Sequence, residues 1–304
     1  MPQQFNYGGQ AVIEGVMMRG SRSVAVAVRN QEGEIVIHEE PINSPLYRGT
    51  WSRIPFVRGL GLLWDSLGLG MRALSFSADV ALGEEAEFNG PVAWGTILFS
   101  LAVAVGLFFL IPAAVADGLH TLTGLESALV GNIIEGVIRL ALVIGYIWLI
   151  GRLSDIQRVF AYHGAEHKTI NAYEDGAPLT PESVARYPLE HPRCGTGFLL
   201  VVVVISVLIF ALLGRPNIFV RLASRIVLIP VVAGVAYEYI RFMARHITNP
   251  LVRVLVWPQL ALQKLTTREP SPDMLEVGIA ALKRVLAAED LPLPGTEALP
   301  AEAK

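Results

Sequence analysis

Two long runs without a charged residue constrain this chain more than any other feature. Residues 90–116 and 194–214 contain no Asp, Glu, Lys or Arg. About 20 apolar residues are enough to cross a bilayer as an α-helix, so each run can span a membrane. Charged residues make up only 17% of the chain, against about a quarter in soluble domains. The sequence therefore excludes a wholly soluble enzyme and a disordered protein.

Two further segments, at about residues 129–151 and 224–240, predict weaker spans. Their uncharged cores, 140–151 and 226–237, are short enough to be buried helices of a soluble protein. Apolar flanks nevertheless extend both segments to spanning length. We therefore predict a mainly α membrane protein with four transmembrane helices, which form a membrane domain over residues 91–248.

The distribution of Lys and Arg predicts the orientation of these spans. Residues 1–90 carry seven arginines, 152–193 carry five basic residues and 241–304 carry eight. The loop at 117–128 carries none, although the loop at 214–225 carries three arginines and weakens the pattern. Because basic residues concentrate on the cytoplasmic side, we predict a multi-pass protein of the cytoplasmic (inner) membrane with both termini in the cytoplasm.

The sequence before the membrane domain predicts a small sheet followed by an amphipathic helix. Residues 1–45 form an N-terminal β region, because Val24–Val28 and Ile35–His38 flank a short Gly-bearing loop, and Ala11–Ile13 adds a third strand. Residues 46–90 predict an amphipathic helix at the membrane interface, carrying arginines and tryptophans. The alternative is a helix packed on the protein's own core.

Residues 249–304 predict cytoplasmic C-terminal helices followed by a tail. Asp273 is positioned to cap a helix that runs to Ala288, with Glu276 at its third position. From Leu291 onwards the chain is rich in Pro, Ala and Glu, which predicts disorder.

The motif H-x-x-E-H occurs at His163, Glu166 and His167, in the predicted cytoplasmic loop at residues 152–196 between the second and third spans. Residues 113–177 contain no proline, so the second span can continue as a helix into the motif. Histidines four apart on a helix share a face and can bind one metal ion. Glu166 lies beside them, where it can activate a metal-bound water, as in the inverted zinc-protease motif.

Three more residues fall at the same predicted membrane level and are the candidates for completing the metal shell. They are His191 and Cys194, just before the third span, and Glu238, at the cytoplasmic end of the fourth. Catalytic zinc usually has three protein ligands and one water, and zinc is the divalent metal that these donors favour. The alternatives are hydrogen-bonded surface histidines and, for Cys194, a small buried apolar residue.

Charge and cysteine content restrict the partners. A net charge of −3 argues against a nucleic-acid partner. A single cysteine allows no intramolecular disulfide, so a disulfide-stapled secreted module is excluded. The predicted partners are the lipid bilayer and a membrane protein or a peptide.

Four blocks of the chain resemble a bacterial membrane family known as domain of unknown function 1385, described as a predicted metal-dependent enzyme. They are Gly8–Gly20, His163–His167, His191–Gly197 and Gln263–Pro270. The resemblance covers about residues 8–285 and implies an integral-membrane character and a metal. It also draws attention to Glu14 and Arg19, which flank glycines and would form either a polar lid over a pocket or a structural salt bridge in a β turn.

We expect a metal-dependent enzyme of the hydrolase kind, in which a metal-activated water works at the cytoplasmic membrane face. A peptide or a lipid-linked ester is the natural substrate. The alternative is a non-enzymatic membrane scaffold or accessory factor in membrane-protein biogenesis, with a structural metal or none. A transporter is a third possibility, because Glu135 and Arg139 lie four residues apart inside the second span, where a helix allows them to pair.

Overall fold

The computed structural model describes residues 7–42, 54–83, 91–123, 127–214 and 216–294. The described strands are β1 (Gly8–Val12), β2 (Gly15–Arg19), β3 (Ser23–Arg29) and β4 (Ile35–Pro41). The described helices are α1 (Val57–Leu82), α2 (Pro91–Val105), α3 (Ile111–Thr123), α4 (Ala128–Ile150), α5 (Ser154–Glu174), α6 (Pro181–Val184), α7 (Gly195–Leu212), α8 (Ile218–Val227), α9 (Ile229–Arg245), α10 (Pro250–Thr266) and α11 (Pro272–Ala288). A π-helical turn over Gly106–Leu110 joins α2 to α3.

The four strands form one antiparallel sheet in the order β1-β2-β3-β4. The predicted hairpin is confirmed, with Val26 paired to His38 in the β3–β4 ladder. The strand β2 was not predicted, because Gly15 and Gly20 flank Val16–Met18 in the sequence and glycines favour turns. In the structure this segment pairs with β1 on one side and β3 on the other.

The sheet is buried on both faces because its residues alternate in direction. Along β3, Val24, Val26 and Val28 pack against α1, whereas Ala25 and Ala27 face a core shared with α5 and α11. Successive side chains of a strand point to opposite faces, so valines fill one layer and alanines let the helices of the other layer approach closely. The N-terminal sheet therefore joins α1, α5 and α11 in one packed unit.

Three helical segments among the described residues are long and apolar enough to cross a membrane: Leu98–Leu119, Leu129–Ile150 and Gly195–Leu212. The helices α8 and α9 pass the same test only together, as a pair bent by 45°. The bend lies at Leu228, and Pro230 in the first turn of α9 lacks the N–H that would continue α8. The four predicted spans fall on these segments, and the fourth is bent.

The prediction that the second span continues unbroken into the H-x-x-E-H motif is wrong. The helix α4 ends at Ile150, and Leu153 is extended before α5 begins at Ser154. A Cβ on Gly151 would lie 3.1 Å from the ring of Phe160 on α5. The missing side chain thus lets the chain turn tightly between the two helices.

The predicted loop at 214–225 contained arginines that did not fit the predicted orientation of the spans. Two of them, Arg221 and Arg225, are buried in the structure on the helix α8. Arg221 on α8 donates to Asp117 of α3 at 2.9 Å, and Arg225, one turn later, donates to Glu135 of α4 at 2.6 Å. The predicted pair of Glu135 and Arg139 is confirmed at 2.7 Å, with both side chains buried. These contacts tie α8 to α3 and α4.

The C-terminal helix begins earlier than predicted. Ser271 is the N-cap of α11, Pro272 is its first residue, and Asp273 lies inside the first turn. Proline at this position has a φ angle that already fits the helix, so it moves the start forward. The predicted disordered tail lies outside the described residues from 295 onwards, as do residues 43–53 and 84–90 of the predicted N-terminal β region and interfacial helix.

Candidate metal centre

The predicted ligands on α5 meet the N-terminal end of α7. Ligand atoms of His163, His167 and Cys194 all lie within 4.8 Å of one another. The Nε2 atom of His163 is 3.3 Å from the Sγ atom of Cys194, and the two imidazole rings are 4.3 Å apart between centroids. Zinc binds histidine nitrogen and cysteine sulfur at about 2.0–2.3 Å, so small side-chain movements would bring all three donors onto one ion.

Backbone carbonyls fix the orientation of both imidazoles. Nδ1 of His163 is 2.9 Å from the carbonyl oxygen of Thr266, and Nδ1 of His167 is 2.5 Å from that of Leu189. A carbonyl oxygen can only accept, so each Nδ1 carries a proton, and in the neutral imidazole each Nε2 keeps the lone pair that can bind a metal. Metal-binding histidines are commonly held in this way by the nitrogen that does not bind the metal.

Cys194 is the N-cap residue of α7. Its Sγ atom accepts a hydrogen bond from the Thr196 N–H at 3.4 Å and lies 3.1 Å from the Thr196 hydroxyl. The N-terminus of a helix favours negative charge, which suits a thiolate ligand. Thr196 and Thr266 were not predicted from the sequence as site residues; their hydroxyls lie 3.4 Å apart.

Glu166 is buried between the two histidines and the sheet. Its Oε2 atom is 3.9 Å from Nε2 of His163. Burial raises the pKa of the Glu166 carboxyl, while His163 and a hydrogen bond from the backbone of Gly9 lower it in part. A Cβ on Gly9 would lie 2.9 Å from the Glu166 side chain, so a glycine is needed for β1 to reach this carboxyl. In a sequence, a glycine pair such as Gly8-Gly9 favours such a close backbone approach.

His191 lies beside the three donors but is not one of them. Its ring centroid is 5.6 Å from that of His167, and its Nε2 atom is 3.8 Å from a carboxylate oxygen of Glu174. Burial lowers the pKa of His191, and the nearby Glu174 carboxylate opposes this effect. Among the described residues, its buried Nε2 atom has no hydrogen-bond partner.

The loop that carries His191 is held by α10. The side-chain amide of Gln263 accepts from the His191 N–H and donates to the His191 carbonyl, both at 2.9 Å. Gln259 donates to the Pro192 carbonyl at 3.0 Å. These contacts position the chain just before Cys194.

The structure does not bring Glu238 into this group. Its carboxylate accepts two hydrogen bonds from the guanidinium of Arg58 on α1, at 2.7 and 2.5 Å, and a third from the Phe56 N–H. A carboxylate that neutralises an arginine in this way is not available to a metal at the α5–α7 junction. Glu238 is therefore removed from the candidate ligands, and its observed contact joins α1 to α9.

Glu14 and Arg19 form separate structural salt bridges rather than a lid. Glu14 lies in the β1–β2 turn with a φ angle of 50° and pairs with Arg158 of α5 at 2.5 Å. Arg19 donates to Ser66 of α1 at 2.9 Å and pairs with Asp65 at 3.4 Å. Each contact fixes the sheet to a helix.

The fold and the site together define a class of protein. It is a helical protein whose described residues include three or four segments long enough to span a membrane, a small sheet and a His–His–Cys cluster. The chain belongs to the family described as protein of unknown function DUF1385, which matches residues 54–288. It is 32% identical over 299 residues to the uncharacterized protein YqhQ of Bacillus subtilis (strain 168), covering 94% of this chain and 93% of that protein. No solved structure matches the chain.

Proposed function

We propose that the chain is an integral membrane protein with four spans, and that its sheet, α5 and α11 share the cytoplasmic side. The support is the common core of these elements, in which Val16, Ala165 and Leu282 are completely buried. Elements in one core must lie on the same side of a membrane. Two apolar segments separate the sheet from α5, so both can cross.

The same argument applies to the chain between α5 and α11. If α7 crosses the membrane, the chain must return before α11 can join the core. The bent pair α8–α9 is the segment that can make this return, because it passes the length and hydropathy test as a pair. The concentration of Lys and Arg in residues 1–90, 152–193 and 241–304 supports the cytoplasm as the shared side.

The proposed activity is that of a metal-dependent hydrolase at the cytoplasmic membrane face. One observation carries it: donors of His163, His167 and Cys194 converge within 4.8 Å while both Nδ1 atoms are engaged by backbone carbonyls. Three protein donors leave a coordination position open, which distinguishes catalytic from structural zinc sites. The mixture of two nitrogens and one sulfur fits zinc among the divalent metals.

Each residue has a defined part in this proposal. His163, His167 and Cys194 would hold the metal, which when bound brings the pKa of water into the neutral range. Glu166 accepts a proton from the attacking nucleophile and returns it to the leaving group, because it is the carboxyl next to the donors. Gly9 holds that carboxyl in place through its N–H.

The substrate class follows from the position of the site. The helix α10 supplies the Thr266 carbonyl and exposes Leu251, Val254 and Trp257 at its other end. An exposed apolar face with a tryptophan suits the interface of a membrane. A peptide bond or a lipid-linked ester presented at that interface is therefore the proposed substrate.

The test is the metal content of the purified protein and its variants. We expect about one equivalent of zinc per chain in the native protein, as set by the one His–His–Cys cluster found among the described residues. His163→Ala, His167→Ala and Cys194→Ala should lose it, since each removes one of three donors. Glu166→Gln should retain the metal, because this residue is assigned to proton transfer rather than to binding.

Two further variants make the result decisive. His246→Ala is the matched control, because His246 is exposed and its Nδ1 donates to the Phe242 carbonyl; it should retain the metal. His191→Ala should also retain it. Loss of metal in His191→Ala would mean a closed four-ligand site and would favour a scaffold with a structural metal. Absence of metal from the native protein, even after reconstitution with zinc, would overturn the hydrolase proposal.

A further inference from the structure

A buried charge cluster, formed by Glu135, Arg139 and Arg225, lies between α4 and α8. The Glu135 carboxylate accepts from Nη2 of Arg139 at 2.7 Å, and from Nε and Nη2 of Arg225 at 3.0 and 2.6 Å. Each of the three side chains is at most 5% exposed. Arginine stays protonated in proteins, so two positive charges share one negative charge.

The remaining contacts of the buried charge cluster are with neutral groups. Arg139 donates to the Phe108 carbonyl at 2.8 Å and to the Ser206 hydroxyl at 3.1 Å. Arg225 donates to the side chain of Asn132 at 3.1 Å, and the Phe210 ring stacks 3.9 Å from its guanidinium carbon. Within the described residues, Glu135 is the only carboxylate that pairs with either arginine, so the cluster keeps a net charge of +1.

Asp117 of α3 does not offset this charge. Asp117 pairs with Arg221 at 2.9 Å, one helical turn from Arg225. An unbalanced charge in the interior of a spanning bundle is costly. An anion bound beside the two arginines would remove that cost.

An elongated apolar cavity of about 320 Å³ adjoins the buried charge cluster. Both arginines line it, together with residues of α4, α7 and α9. Its wall on α7 extends from Phe198 to Phe210, which corresponds to about 18 Å along a helix. The volume is at the lower end of the range of about 300–1,000 Å³ for ligand pockets, and this favours a single apolar chain.

The π-helical turn at Gly106–Leu110 lies at the same place. Phe108 and Phe109, in this turn, line the cavity, and the Phe108 carbonyl accepts from Arg139. Such turns are rare and frequently occur at functional sites. A structural ion-pair network alone would explain the cluster, but it would explain neither the cavity nor the π-helical turn beside it.

We propose that this cavity binds a single-chain amphiphile with an anionic headgroup. The headgroup, a carboxylate or a phosphate, lies against Arg139 and Arg225, and the apolar chain lies along α7 towards Phe198. Phe198 is four residues from Cys194, so the end of the chain approaches the candidate metal centre. The proposal rests on the spanning bundle and not on a bound metal.

The test uses the full chain in discs of zwitterionic phospholipid, with dodecanoate, dodecyl phosphate and 1-dodecanol as competitors of a fluorescent fatty acid. We expect saturable binding of one anionic ligand per cavity, about tenfold or more tighter than that of the alcohol. The stronger of the two anions identifies the headgroup. Equal affinity for the alcohol and both anions would overturn the proposal.

Two variants change the net charge of the cluster in opposite directions and should change the affinity for anions in opposite directions. Arg139→Gln makes the cluster neutral. It should lower the affinity for both anions about tenfold or more and leave the affinity for 1-dodecanol unchanged. Glu135→Gln raises the net charge of the cluster to +2 and should increase the affinity for the anions. Arg152→Gln, which removes an exposed arginine that stacks on Trp148, is the matched control and should change neither.

A variant that fills the cavity keeps the test valid if a charge variant fails to fold. Val202→Phe leaves every charge in place and fills the cavity, so it should lower the affinity for both the anions and the alcohol. Anion affinity that is unchanged in both Arg139→Gln and Val202→Phe would show that the probes bind elsewhere and would overturn the assignment.

Discussion

At the scale of single residues, the metal proposal depends on which imidazole nitrogen carries the proton. The carbonyls of Thr266 and Leu189 accept from Nδ1 of His163 and His167. Because these acceptors belong to the backbone, no single side-chain change removes them, and each Nε2 remains a ligand atom. This arrangement differs from a pair of surface histidines, whose nitrogens bond to water.

Gly9 shows how one missing side chain shapes the site. A Cβ there would lie 2.4 Å from the Met17 carbonyl and 2.9 Å from Glu166. We expect Gly9→Ala to lower the free energy of unfolding by about 1–3 kcal/mol, since extra volume in a packed region strains its neighbours. Thermal or denaturant unfolding of the purified protein measures the change.

Gly8→Ala is the control for this prediction. It adds the same methyl group to the same strand, but at a position where nothing lies within 4 Å. Its effect should stay within about 0.5 kcal/mol, as is usual for substitutions away from packed features. Equal effects of the two alanines would contradict the proposed close contact between β1 and Glu166.

At the scale of elements, the N-terminal sheet is attached to α11 by one carboxylate. Glu289, the C-cap of α11, accepts from Tyr7 OH at 2.8 Å and from the N–H groups of Ser21 and Arg22 at 2.5 and 2.8 Å. Burial alone would raise the pKa of Glu289, but these hydrogen bonds lower it below its ordinary value. The ionised form is therefore the one that holds the sheet.

The sign of this shift predicts a loss of stability in acid. A carboxyl whose folded pKa is depressed stabilises the fold above the unfolded value of about 4.3, and the contribution disappears as pH falls through the folded value. Glu289→Gln should cost about 1–3 kcal/mol at pH 7, because several donors lose a charged acceptor. It should also flatten the acid dependence of unfolding.

Unfolding measured between pH 7 and pH 3 tests this prediction. Asp290→Asn is the matched control, because the Asp290 side chain is 88% exposed and, among the described residues, its only ion pair is with the exposed Arg22. It should leave both stability and its pH profile close to those of the native protein. An acid dependence in Glu289→Gln as steep as in the native protein would refute the assigned role.

At the scale of the whole molecule, one core restricts the path of the chain through a membrane. The sheet, α5 and α11 share buried residues, so the apolar segments between them, if they cross a membrane as proposed, must cross in pairs. The candidate metal centre lies where this core meets α7, because Cys194 begins that helix and His163 belongs to α5. The position of the site at one end of the bundle thus follows from the packing.

This arrangement predicts which positions a membrane-impermeant maleimide reaches in intact cells. Gly118→Cys, in α3 near the loop that the proposed orientation places outside, should react from outside, since a Cβ there meets open space. Glu182→Cys, an exposed position in α6, should react only after the cells are permeabilised. The native Cys194 is buried and sets the background. The reverse labelling pattern would contradict the orientation.

The sequence by itself determined the properties that depend on neighbours along the chain. Long runs without charged residues located the apolar helices, and the alternating pattern of β-branched residues located the β3–β4 hairpin. Spacing of four residues placed His163 and His167 on one face of α5 and paired Glu135 with Arg139. All of these depend on helical or strand periodicity, which local sequence encodes.

The tertiary structure decided what depends on contacts between distant segments. It placed Cys194 with the two histidines, and it assigned Glu238 to Arg58 instead. It also added Gly9 and Thr266, which are far from the motif in sequence. Residue type showed that each side chain was able to bind a metal, but only the packing of α5, α7, α10 and the sheet determined which of them meet.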